Sequence, residues 1–343
     1  KIVTLNLKSM LNLQQRINIL TRLQKYMTGN DPVWLNAKVN AAENNPWFIA
    51  SFIDNAIQNI ASHLLEPSKI NTWAASYDIP EQTVAPVNIG ITMAGNIPLA
   101  GFHDFLCVFI SGHRQTVKLS SKDNVLLKHF AAKMASWNPA IKDHIVFADM
   151  LKGCEAYIAT GSNNTARYFE YYFRKYPHII RKNRTSVAIL KGKETPYELE
   201  KLADDVCLYF GLGCRNVTKI YVPPGYDFLP LLTSLKKYSN LIENHKYKHN
   251  YDFNLAMQIM NQKYYMTNGS VILTENPSVF SPISQLHYAF YNDPEDVYNT
   301  LNPEEIQCIC GTEKIPLGAA QSPGLTDYAD GIDTMNFLKQ LTK

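Results

Sequence analysis

Cys214 closes the stretch Gly211-Leu212-Gly213-Cys214 and precedes a short β-rich run, Val217 to Val222. A thiol in that setting sits on a tight bend, where Gly211 and Gly213 can adopt φ > 0 and let a substrate approach closely. The backbone N–H of Cys214 then points near any atom the sulfur attacks, which is half of an oxyanion hole. The chemistry implied is nucleophilic catalysis by a thiolate. The alternative is a buried structural cysteine in a loop. A second place of interest is Gly161-Ser162, read as a strand-to-helix junction, where free N–H groups and the helix dipole can hold phosphate. Many helices begin with Ser, so taken alone the pair is equally a cap.

The elements that must position these residues read as α/β. The N-terminal 65 or so residues are helical, with Phe52, Ile53, Ala56, Ile57, Ile60, Ala61 and Leu64 at helical spacing. Beyond Pro86, strands alternate with helices. Val87 to Met93 is a β run ended by Gly95-Asn96; a helix carries Phe102, Phe105, Leu106 and Phe109, with Gly112 as its stop; Gln115 to Leu119 is the next strand. This strand–helix–strand unit implies a parallel pair with a right-handed crossover. A second unit runs from Glu155 to Thr160 and on through Tyr168 and Tyr172, with Ser162 or Asn163 as N-cap. Ser186 to Leu190 is a further strand, and Tyr197 to Tyr209 a helix leading into the cysteine turn.

A length of 343 residues favours two domains. A net charge of +3 is too small to argue for nucleic acid or an anionic membrane surface. No apolar run approaches the roughly 18 residues of a membrane span. Lys1 in place of Met suggests a processed N-terminus, with no signal-peptide pattern. Cys107, Cys154, Cys207, Cys214, Cys308 and Cys310 form no regular disulfide framework, which fits a reducing cytoplasm. Cys308-x-Cys310 lacks a second ligand pair, so strand alternation is favoured over a metal site, and no metal is expected. The basic, tyrosine-rich segment 236–251 could stack single-stranded nucleic acid; without a wider basic field it reads instead as a solvated surface insertion.

The chain has neither G-x-G-x-x-G nor a P-loop, which disfavours the usual nucleotide sites. Several segments together resemble the aldehyde dehydrogenase superfamily, whose members bind nicotinamide cofactors without the glycine fingerprint. More narrowly, they resemble its long-chain acyl-CoA reductase branch of the LuxC type. The segments run in the family's order: Ala94 to Asp104, Ser111 to Ser121, Thr160-Gly161-Ser162, Gly211 to Val222, and Pro316-Leu317-Gly318 followed by Gln321 to Asp333. The resemblance covers about residues 87–340.

The resemblance implies two parallel-sheet α/β domains with an active-site cleft between them. A cofactor domain would span 1–186, a catalytic domain 187–315, and a C-terminal return segment 316–343. Cys214 would form a thioester with an activated fatty acyl group, and Asn96 would be the second oxyanion donor. Lys118 would hold the adenosine ribose, Gly161 and Ser162 the pyrophosphate, and Glu275 the nicotinamide ribose. Ser121 stands where the family often has a ribose-gripping glutamate, which implies NADPH in preference to NADH. Ile189 stands where hydrolytic members carry the water-activating glutamate, with Glu194 nearby, so reduction is implied and not oxidation to the acid. His103, His113 and His287 are acid/base candidates by location only.

The expected function is therefore NADPH-dependent reduction of a fatty acyl-CoA, or of an acyl-protein thioester, to the aldehyde. The alternatives are an acyl phosphate substrate and a non-catalytic or partner-dependent component working with an acyl-transferase or synthetase. A homo-oligomer is left open.

Overall fold

The computed structural model describes residues 10–341, so the expectation about Lys1 lies outside the described residues. The chain forms two units: one runs to Lys182 and resumes at Gly324, and the other spans Asn183–Pro323.

The first unit opens with α1 (Leu13–Met27), α2 (Pro32–Asn44), α3 (Ala50–Asn59) and α4 (Pro67–Ser76). Their starts are fixed locally. Asn12 and Gln15 form a capping box, and Asp31 and Glu66 cap α2 and α4 ahead of Pro32 and Pro67. The apolar stripe expected around Phe52 faces inward on α3 and continues through a π-helical turn, Ile60–Leu64.

Next come β1 (Asn88–Thr92), α5 (Phe102–Ser111), β2 (Arg114–Lys118), α6 (Leu126–Trp137), α7 (Ile141–His144) and β3 (Ile145–Phe147). They are followed by β4 (Ala156–Thr160), α8 (Asn163–Phe173) and β5 (His178–Arg181). The strands form one parallel sheet, ordered β3-β2-β1-β4-β5. Gly112 ends α5 at φ +80°, a conformation that needs no side chain. Ile89, Ile91, Phe102, Phe105 and Phe109 are almost fully buried around this crossover, at about 2–3 kcal/mol per large side chain.

The second unit holds β6 (Thr185–Ile189), α9 (Pro196–Cys207), β7 (Val217–Val222), α10 (Leu229–Ser234) and α11 (His245–Met260). It continues with β8 (Met266–Thr267), β9 (Ile272–Glu275), β10 (Gln285–Phe290), α12 (Pro294–Thr300) and β11 (Ile306–Cys310). The sheet order is β11-β6-β7-β10-β9-β8, with only β8 antiparallel. Segment 236–251 is solvated at its lysines and histidines, as expected, but parts of it are packed inward. Leu235 and Leu241 of a 3₁₀ stretch are buried, and so are Tyr247 and Tyr251 of α11. Tyr247 packs on Phe210 and donates to the Ser270 carbonyl, so these rings are core and not a stacking platform.

The chain then returns to the first unit, ending in α13 (Thr334–Gln340). Arg181, 2% exposed, anchors the return: its guanidinium bonds Asp104 at 2.7 Å, Thr334 at 2.8 Å and the Ala329 carbonyl. Trp73 donates to Tyr328, and Tyr77 to Asp333.

Candidate active site

The cysteine turn begins where α9 ends. Tyr209 (φ 54°), Phe210 (φ 58°) and Gly211 (φ 73°) are three consecutive left-handed residues. For the two aromatics this backbone costs on the order of 1–3 kcal/mol each and persists only where the surroundings enforce it. Here they do, because both side chains are buried. The left-handed bend expected of the two glycines thus falls on Tyr209, Phe210 and Gly211, while Gly213 serves through its N–H.

Gly213 and Asn216 form the ends of a tight turn with Cys214 and Arg215 at its corner. The Asn216 N–H donates to the Gly213 carbonyl at 3.1 Å, and the Gly213 N–H donates to Asn216 Oδ1 at 2.8 Å. The peptide between Gly213 and Cys214 is trans, so fixing the Gly213 carbonyl aims the Cys214 N–H the opposite way. Asn216 is fully buried, and its Nδ2 spans the end of α9, donating to the carbonyls of Leu208 (2.8 Å), Asp205 (3.0 Å) and Val206 (3.3 Å). None of the six cysteines is in a disulfide, and Cys214 alone among them is half-exposed; the other five are buried.

Asp205 braces the same turn from behind. Its carboxylate accepts the N–H groups of Gly318 (2.6 Å) and Ala320 (3.1 Å), tying segment 316–320 to α9. Burial pushes this carboxyl up to about 7 against the pull of those two N–H groups. Sequence reasoning missed both Asn216 and Asp205. A signal existed for each: an asparagine three residues after Gly213, and an acid inside the apolar face Leu202-Ala203-x-x-Val206-Cys207.

In the first unit, the other candidate residues lie in loops that leave the carboxyl ends of parallel strands, where open α/β sheets bind ligands. Asn96 is exposed in the loop after β1. A Cβ on Gly95 would come 2.6 Å from Ser120 Cβ, so only glycine lets this loop meet the one after β2. Asp123 links the two loops, accepting the Leu99 N–H at 2.7 Å while Leu99 is held left-handed at φ 57°.

Lys118 is the exposed last residue of β2. A cleft of about 410 Å³ opens beyond it, lined by Ser120, Ser121, Asn124, Lys128 and Asp149 among others. Gly161 and Ser162 follow β4, and Ser162 caps α8 by accepting the Thr165 N–H. Its lining can hold a polar ligand: the hydroxyls and Lys128 can donate, and Asp149 can accept from a hydroxyl or an amine. Lys128 and Asp149 were not foreseen.

Other candidates are engaged elsewhere. His103 bonds the Leu325 carbonyl between Trp73 and Tyr328, His113 that of Leu338, and His287 that of Ser278. Burial lowers the pKa of His113 and His287. Glu275 ends β9 in register with Tyr288 and through it with Ile220, three residues into β7, whereas Cys214 lies three residues before β7 begins. Among the described residues no group of three His, Cys, Asp or Glu side chains could hold a metal ion. No helix among them is long and apolar enough to cross a membrane.

This fold is similar to that of aldehyde dehydrogenases of known structure. The chain is similar to Physcomitrella patens aldehyde dehydrogenase 21, solved with the reaction product succinate (TM-score 0.67, 10% identity, 96% of this chain and 84% of that one). It is also similar to a Bacillus cereus aldehyde dehydrogenase solved with NAD+ (0.62, 11%, 87% and 70%) and to an Escherichia coli NADP-dependent enzyme (0.63, 11%, 84% and 70%). No family model and no curated protein matches the chain in sequence. The fold is therefore an aldehyde-dehydrogenase-like α/β fold, held by a sequence far from those neighbours.

Proposed function

We propose that this chain is a nicotinamide-dependent oxidoreductase that reduces a fatty acyl-CoA to the aldehyde through a thioester on Cys214. The observation that carries the reading is the half-exposed Cys214 at the corner of the turn pinned by Asn216. Its thiolate attacks the acyl carbon, and the carbon–sulfur bond forms as the CoA thiolate leaves and takes up a proton. The Cys214 N–H, aimed by the Gly213 carbonyl's hydrogen bond, supports the developing oxyanion. NADPH, when bound, would supply the hydride; the tetrahedral oxyanion left on Cys214 then collapses, releasing the aldehyde and regenerating the thiolate.

The missing hydrolytic base supports reduction over oxidation to the acid. Ile189 is a buried strand residue, and the Glu194 carboxylate is engaged by the Lys191 and Gly192 N–H groups. Without a base to activate water, a thioester survives long enough for hydride delivery. For the cofactor, Lys118 would serve the adenosine ribose, Ser121 and Lys128 would accommodate a 2′-phosphate, and Gly161-Ser162 would hold the pyrophosphate. Glu275 is not used, because its register separates it from the start of β7.

The test is NADPH consumption with acyl-CoAs of graded length, beside Cys214→Ala. Acyl-dependent oxidation lost in the variant supports the reading, and the length profile names the substrate. Turnover with acyl phosphate alone would change the substrate class. Turnover only with an acyl-transferase or synthetase added would favour the partner-dependent reading. Activity that survives Cys214→Ala would overturn the mechanism.

A further inference from the structure

We propose that Ser186 and Cys308 form a positioning pair behind the nucleophile, in which the Ser186 hydroxyl holds the Cys214 carbonyl and the Cys308 thiol fixes where that hydroxyl points. The proposal rests on Cys214 being the nucleophile. β6 lies between β7 and β11, and both ladders slip by one residue beside Ser186. On one side Ser186 faces Val217 while Val187 faces Lys219, so Thr218 is extra. On the other, Thr185 faces Ile306 and Val187 faces Ile309, so Gln307 and Cys308 together oppose Ser186. Such bulges re-aim side chains. Here they bring Cys308 Sγ to 3.0 Å from Ser186 Oγ, which lies 3.0 Å from the Cys214 carbonyl oxygen. The Ser186 N–H also donates to the Asn216 carbonyl at 3.1 Å, so one strand residue holds both halves of the turn.

Proton counting sets the direction. A carbonyl only accepts, so the single hydroxyl hydrogen of Ser186 goes to Cys214, and the Cys308 S–H must donate to Ser186. Ser186 is fully buried and Cys308 is 6% exposed, so water does not compete. The order holds while Cys308 keeps its proton, because a thiolate would draw the hydroxyl hydrogen to itself. The groups facing Cys308 are Cys310 on its own strand, Asp205 on α9 and Arg215 in the turn. The Cys310 hydrogen bond, then Ser186 and the Arg215 charge, outweigh burial and Asp205, so Cys308 ionises more readily than an ordinary thiol. Loss of that proton, or alkylation of the sulfur, releases the Cys214 carbonyl.

The experiment compares Ser186→Ala, Cys308→Val and Cys308→Ser by amide hydrogen exchange of the 208–217 peptide, with β10 as internal reference. Loss of one hydrogen bond should speed exchange of the turn about five- to tenfold in Ser186→Ala and Cys308→Val, with β10 unchanged. Cys308→Ser, which keeps a donor, should stay near wild type. In turnover, kcat should fall by a similar factor at unchanged KM in the first two variants only. Wild-type exchange in Ser186→Ala, or no rescue by Cys308→Ser relative to Cys308→Val, overturns the proposal. Should Ser186→Ala fail to fold, the two Cys308 variants decide by the same comparison. Exchange needs no substrate, so the result stands apart from failure of the acyl-reductase reading.

Discussion

Replacing Asn216 by Ala should destabilise the second unit by about 3–5 kcal/mol. Its Oδ1 holds the Gly213 N–H, and its two Nδ2 hydrogens serve the Leu208 and Asp205 carbonyls, with Val206 sharing at 3.3 Å. Three well-made bonds at about 1 kcal/mol each give roughly 3 kcal/mol. Leaving buried partners orphaned adds on the order of 1–2 kcal/mol, since no water reaches a site of zero exposure. Asn216→Asp is the sharper probe. It keeps an acceptor for Gly213 but turns a carboxylate oxygen toward three carbonyls, so at pH 7 it should be at least as destabilising as Ala. Acidification should recover part of the loss, because a protonated carboxyl regains one donor. Urea unfolding by far-UV circular dichroism reads both units. Tryptophan emission reads the first alone, since Trp34, Trp47, Trp73 and Trp137 all lie there. An Asn216→Ala protein within 1 kcal/mol of wild type, or an Asp variant indifferent to pH, would refute the argument that this side chain carries the turn.

Two further outcomes are expected. Ser121→Glu should lower the affinity for NADPH at least tenfold while sparing or improving NADH, since about 1.4 kcal/mol of repulsion suffices; cofactor titration calorimetry checks it. Asp205, pushed up to about 7 by burial, keeps a proton in the folded state that the unfolded chain releases near pH 4. Its contribution to stability is therefore greatest below about pH 4, falls as the pH rises to 7, and is level above that, a change of roughly 4 kcal/mol at most. Asp205→Asn should remove that slope, measured by calorimetry at pH 5 and pH 8; an unchanged slope would rule it out.

Much of the first sheet was legible in the sequence because its signals are local. Phe102, Phe105, Leu106 and Phe109 repeat every three or four residues, Gly112 stops their helix, and Ser162 caps the next. Cys214 stood out through its flanking glycines. What holds Cys214 did not, because it depends on distant residues: Asp205 meets Gly318 across 113 positions, and Ser186 meets Cys308 across 122. The left-handed Tyr209 and Phe210 carry no compositional mark, as their conformation is imposed by burial. In segment 236–251 the exposed lysines and histidines were legible, but the inward packing of Tyr247 and Tyr251 was not, because their hydroxyls find partners in the distant Ser270 and Thr267.

The chain's return to its first unit has a consequence for biosynthesis. The second unit is contiguous from Asn183 to Pro323 and can complete itself as soon as Pro323 has left the ribosome. The first, although its helices and strands emerge earlier, still lacks the segment that gives Arg181 the Ala329 carbonyl and the Thr334 hydroxyl and fills its core with Met335 and Leu338. The usual order of maturation along a nascent chain is thereby inverted. The half made first must wait, with part of its apolar surface uncovered, until the return segment from Gly324 has been translated.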